Sequence, residues 1–150
     1  MYWQKARDIK ESAVYKYVGT ADPDIFRCPS DDPSNRPRII WEAYVYSYTL
    51  NYLFASNAGV ATRVRAHSVR NAADKIVIAD EDEQSLDDGN FHPLLVGQGY
   101  ENFLSIRHDR RVAKGKDDND RRGNAAFADG HAEFITRRQS RDPFYYDPAR

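Results

Sequence analysis

Long apolar runs are missing from this chain. No stretch reaches the ~18 consecutive hydrophobic residues of a membrane-spanning helix, and no segment within the sequence reads as a leader. Cysteine is nearly absent. The single Cys28 excludes an internal disulfide and leaves the redox compartment unread. Excess charge is lacking too: a net charge of -1 and a pI of about 6.4 provide no basic field for nucleic acid. Nor is there a polybasic tail for anionic lipid. Also missing are an HExxH pair, a nucleophile elbow, a glycine-rich phosphate loop, a CxxC pair and convincingly paired carboxylates. These absences lead to the expectation that the chain is not an enzyme. No internal repeat is visible.

What is present suits one globular domain over residues 1–150, with 41% hydrophobic and 30% charged residues. Tyrosine stands out, with ten copies. A ring that buries area while its hydroxyl stays wet favours strands and contact surfaces. Residues 1–18 predict a helix: Ala6, Ile9, Ala13, Val14 and Tyr17 recur at three- and four-residue steps, and Gly19 sits at the C-terminal cap position. Four prolines then punctuate residues 20–38 into turns. Residues 39–54 are aromatic and β-branched, and part of them alternates, as a strand does. Residues 75–80 carry Ile76, Val77, Ile78 and Ala79 in succession and predict a buried strand ending in acidic residues. Residues 84–102 read as loop and 103–108 as a strand. Residues 109–122 are almost wholly charged and read as a mobile insertion with nothing to bury. Finally, Asp129-Gly130 between two short apolar segments predicts a two-residue hairpin turn joining strands at 124–128 and 131–135.

Several of these segments contain groups with chemistry. At Cys28-Pro29-Ser30-Asp31 the expected role is a small buried thiol pinning a turn, with Ser30 or Asp31 capping backbone N–H groups. A Cys28–His nucleophile pair is the chemical alternative. Asn51, in Ser47-Tyr48-Thr49-Leu50-Asn51-Tyr52, is expected to bond backbone groups from a buried position, with its carbonyl oxygen as a possible cation ligand. Asp80 and Glu81 close the buried strand, where sites are often built. His108, Asp129 and His131 offer two imidazoles and a carboxylate to a transition metal, if the strands bring them together. Asp80 or Glu81 would add oxygen donors.

These motifs follow one another in a definite order: Cys-Pro-Ser-Asp, then Ser-Tyr-x-x-Asn, an apolar strand ending in Asp-Glu, Arg107-His108, and Asn124-x-x-Phe127-x-Asp129-Gly130-His131. Over residues 13–135 this order resembles the prepilin-type processing-associated H-X9-DG proteins, bacterial pseudopilin-like relatives of type II secretion and type IV pilus subunits. The family pattern places nine residues between the His and the Asp-Gly. Here residues 109–128 intervene, so the charged segment 109–122 reads as an insertion. The family's leader and long hydrophobic helix are also missing, which implies a processed or truncated piece, or a relative without its membrane stem.

The resemblance implies an α+β, pilin-like fold, with an N-terminal helix packed on an antiparallel β-sheet. It also implies a structural subunit of an extracellular, periplasmic or cell-surface filament or secretion-linked assembly, with itself or other pilin-like subunits as partners. Nucleic acid is not an expected partner. Related pseudopilins carry a structural calcium, so calcium at Asp31, Asp80, Glu81 and Asp129 is an expectation beside zinc at the histidines. Two other readings compete. One is a ligand- or glycan-binding surface built on Trp3 and Trp41. The other is a metal-dependent hydrolase on His108, Asp129 and His131.

Overall fold

The computed structural model describes residues 10, 14–18, 22–36, 44–54, 64–93, 101–111 and 117–150. Among these residues the chain forms five strands: β1 (Tyr48–Asn51), β2 (Ile76–Asp80), β3 (Asn90–Phe91), β4 (Arg122–Phe127) and β5 (Ala132–Thr136). They make one sheet in the order β3-β1-β2-β4-β5. The apolar run of β2 sits at its centre, antiparallel to both β1 and β4. With the short helices that follow β5, the architecture is α+β.

The sheet is mixed rather than wholly antiparallel. β3 lies in the segment read as loop and pairs parallel to β1, with Leu50 opposite Asn90. Two residues cannot display an alternating pattern, so this strand leaves no trace in the sequence. The expected strand at 103–108 is also corrected. Only Leu104 bridges, to Glu81, and Arg107 and His108 lie in a turn. This segment nevertheless follows the end of β2 closely: Asp82 N–H donates to Phe103 O at 2.8 Å and Ser105 N–H to Asp80 O at 2.7 Å.

The core lies on one face of the sheet. Ile76, Ala79, Phe91, Leu104, Ala125, Phe127 and Ile135 pack together there, with Tyr145 against them. Fully burying a side chain the size of Phe91 or Ile76 contributes about 1.5–3 kcal/mol. Gly123 permits the close approach of the 104–105 segment, because a Cβ there would stand 1.9 Å from Ser105 O.

The hairpin between β4 and β5 forms, with the strand ends one or two residues away from their expected bounds. Its loop has three residues, not two. Phe127 N–H donates to His131 O at 2.8 Å, and Gly130 N–H to Phe127 O at 2.9 Å. Only Gly130 takes positive φ, at 96°. Asp129 therefore needs no left-handed conformation, and its carboxylate accepts the His131 N–H at 3.1 Å.

Short helical turns start at Asp-Pro pairs. Asp22 before Pro23, Asp32 before Pro33 and Asp142 before Pro143 each accept the N–H two residues on. Proline presets the turn's φ while the carboxylate satisfies a free donor. Helix α1 (Tyr15–Val18) is a single turn with no buried residue. Apart from Lys10, Val14 and α1 itself, the helix expected over 1–18 lies outside the described residues, as does its packing on the sheet. Helix α2 (Arg137–Ser140) continues from β5 through a capping box between Thr136 and Gln139, and α3 (Pro143–Tyr146) buries Tyr146.

The charged segment 109–122 is anchored at both ends. Asp109 is only 4% exposed and accepts the Arg122 N–H at 2.8 Å. Arg121 reaches back to Ile106 O and Asp109 O. So the expectation that this segment buries nothing fails at Asp109, where nearby donors compensate the carboxylate. Residues 112–116 lie outside the described residues.

Candidate functional site

The C-terminal end of β2 gathers four of the sequence motifs into one buried polar joint. Pro29 sits second in a turn closed by Asp31 N–H to Cys28 O at 3.0 Å, a position that proline's fixed φ suits. The turn is tied to the residue that precedes β1. Ser47 Oγ accepts the Cys28 N–H at 2.8 Å and donates to Asp31 Oδ2 at 2.5 Å. Ser47 O in turn accepts the Glu81 N–H at 2.9 Å. Asp31 therefore serves side chains, not the backbone N–H groups expected of it: its Oδ2 also pairs with Arg36, and both side chains are essentially buried.

Arg107 closes the joint from the other side. It donates to Asp80 Oδ1 at 2.5 Å and to Glu81 O at 2.7 Å, and stands 3.5 Å from Asp31 Oδ1. Next to it, His108 Nε2 lies 3.1 Å from Cys28 Sγ and 3.6 Å from Asp80 Oδ2. Cys28 and Asp80 are each 2% exposed, whereas a third of the His108 side chain reaches solvent. Burial pushes Asp80 up to about 6, against the pull of Arg107 and with the push of Asp31. Burial, followed by the proximity of Cys28 and Asp80, also raises the Tyr48 hydroxyl.

Beside this joint, Glu81 occupies its own pocket. It is fully buried, and its Oε1 accepts from Asn102 at 2.7 Å and Ser85 at 3.0 Å. Burial pushes its carboxyl up to about 8, opposed by the polar groups of Thr49, Ser85 and Asn102. It thus faces away from any ligand set with Asp80.

The cluster expected of His108 with Asp129 and His131 does not form. β4 runs antiparallel to β2, so Phe127 pairs with Ile76 while Ala125 pairs with Ala79. This puts the hairpin at the opposite end of β2 from Asp80. There Asp129 and His131 are exposed and pair with each other at 2.6 Å, while the His131 ring stacks on Phe127 at 4.5 Å. The calcium set of Asp31, Asp80, Glu81 and Asp129 is dispersed in the same way. Asp129 lies at the far end of β2 and Glu81 is held by Asn102 and Ser85, while Asp31 and Asp80 share Arg107, so the four carboxylates do not converge on one point.

Asn51 also lies at that far end. Its amide donates to Ile76 O at 2.7 Å and Tyr146 O at 2.8 Å, and its Oδ1 accepts the Leu53 N–H. Asn124 is exposed on β4 opposite Phe134. Trp3 and Trp41, the proposed ligand-contacting rings, lie outside the described residues.

The spacing of residues does not reveal the Cys28–His108 contact, which spans 80 positions. Arg36 and Ser47 are likewise missed as site residues, although Ser47 begins one of the motifs.

A pocket of about 50 Å³ between β1, β3 and α3 is lined by Asn51, Tyr52, Phe91, His92 and Tyr146, among others. It is well below the roughly 300 Å³ of a small-molecule site. A polar depression lined by Asn119, Arg138, Arg141 and Asp142 lies on the surface. Neither touches Cys28, Asp80 or His108. Among the described residues, no helix is long and apolar enough to cross a membrane. Compared with protein-family models, with curated proteins and with solved structures, the chain matches none.

Proposed function

We propose that this chain is the globular part of a pilin-like assembly subunit, acting outside the cytoplasm and without catalytic chemistry of its own. The observation that carries the reading is how the motifs are used. Cys-Pro-Ser-Asp, Ser-Tyr, Asp-Glu and Arg-His, whose order underlies the resemblance to the H-X9-DG proteins, interlock as a buried joint. Residues that hold loops to a sheet end make a rigid head, which a stacking subunit needs.

The test is done in the native cells. Antibody to this domain is expected to detect the chain in sheared surface filaments or in a cross-linked ladder of envelope proteins. Deleting the prepilin peptidase should shift the chain to a larger, unassembled form. Recovery only as a cytoplasmic monomer, unaffected by the deletion, would refute the proposal.

A further inference from the structure

We propose that Cys28 Sγ, Asp80 Oδ2 and His108 Nε2 form a binding site for a zinc-class divalent metal, joining the Cys28 turn, the end of β2 and the 107–108 turn. This site is independent of the assembly reading and holds whether or not the chain enters a filament.

The first argument is geometric. The three donor atoms all lie within 4.8 Å of one another, with edges of 3.1 Å from sulfur to nitrogen and 3.6 Å from nitrogen to oxygen. A tetrahedral zinc ion with bonds of about 2.3 Å to sulfur and 2.0–2.1 Å to nitrogen or oxygen separates its ligands by about 3.3–3.6 Å. The two edges through His108 lie close to that range, and the sulfur-to-oxygen edge is within 4.8 Å.

The second argument is an unsatisfied atom. Asp80 Oδ2 is buried and accepts no hydrogen bond. The other oxygen of the same carboxylate is held by Arg107, which aims Oδ2 toward the His108 ring. A buried carboxylate oxygen without a donor costs free energy. One imidazole nitrogen cannot relieve it while also serving the thiol. Both Cys28 and Asp80 approach Nε2, so the group is not a nucleophile relay, in which thiol and carboxylate contact different ring nitrogens. A cation among the three would satisfy all of them.

The third argument is the identity of the metal. Thiolate and imidazole are donors for zinc and its neighbours, and a single carboxylate oxygen is too few for calcium. Arg107 on Asp80 Oδ1 fixes ligand orientation as an outer-sphere partner does. The exposed side of His108 provides the entry path and leaves a fourth position for water.

The test uses the full chain, reduced and stripped with chelator, and cobalt(II) as a spectroscopic probe. We expect a near-ultraviolet thiolate-to-cobalt charge-transfer band with intense tetrahedral-type visible bands, saturating at one metal per chain and displaced by zinc. Zinc should also raise the melting temperature, because it binds the native state. Cys28→Ser should abolish the charge-transfer band, and either it or His108→Gln should weaken zinc binding more than about tenfold. His131→Ala should change neither. X-ray absorption at the zinc edge of the wild-type protein reads the ligand shell without any variant, and one sulfur near 2.3 Å is expected. No cobalt band, a shell of nitrogen and oxygen only, or binding lost in His131→Ala and kept in Cys28→Ser would each overturn the proposal.

Discussion

Single residues in this protein carry unusual electrostatic weight. Asp31 and Arg36 pair with almost no solvent around either side chain. Such a pair contributes little beyond what apolar groups of equal shape would, yet breaking it leaves a buried charge alone. Asp31→Ala is therefore expected to cost about 3–5 kcal/mol in denaturant unfolding. The double change Asp31→Leu with Arg36→Met should cost less than Asp31→Ala alone, and a larger loss in the double variant would count against this account. Glu81 sets the pH response. Its carboxyl rises from the ordinary 4.5 to about 8 on folding. Between these values the native state holds a proton that the unfolded state has released, so stability falls as pH rises. Asp80, raised to about 6, adds the same slope at the acidic end of the window. Metal-free protein in chelator should be more stable at about pH 5 than at about pH 8. Glu81→Gln should flatten that slope, and an unchanged slope in the variant would assign it to other groups.

At the scale of elements, two glycines test two different constraints. Gly130 has positive φ and open space around its missing Cβ. Gly130→Val is thus a purely conformational perturbation, expected to cost about 1–2 kcal/mol by thermal melting. Gly130→Asn should cost less, because Asn tolerates the left-handed region. Gly123 is the opposite case: its φ is ordinary, but a Cβ would enter the Ser105 carbonyl. Gly123→Ala should cost at least about 1–3 kcal/mol, since backbone and not a flexible side chain must move. Equal melting points for Gly123→Ala and the wild type would show that the 104–105 segment shifts freely. These elements also mark how far the sequence is legible. β2 is readable because four apolar residues run together, and the β4–β5 hairpin because Asp-Gly lies between apolar segments. Both signals are local. β3 is not readable, because a two-residue strand is specified entirely by the partner it meets, and parallel pairing brings that partner from far along the chain. The same holds for the site. Cys28 looks inert by itself, and His108 points in sequence toward the Asp-Gly turn. Only the antiparallel path of β4 along β2 sends that turn to the far end and leaves His108 to Cys28.

For the whole molecule, the sheet separates two kinds of stabilisation. One face of the sheet carries the apolar core, while the end of β2 carries a joint of alternating charges. Salt should therefore weaken the fold little, since the buried pairs are poorly screened. The pair between Arg138 and Asp120 is exposed and contributes little at any ionic strength. The anchoring of the charged segment has a practical consequence. Asp109 and Arg121 clamp its two stems together before the chain reaches β4, so the distance it must span is set by the stems and not by its own length. Closing a longer loop between fixed ends costs only about 0.6 kcal/mol per doubling of length. The stretch between Arg111 and Asp117 is therefore a cloning port. An epitope tag or a fluorophore-binding peptide placed there should leave the melting temperature and the cobalt spectrum of the domain intact, and would give the proposed assembly test a label that requires neither terminus.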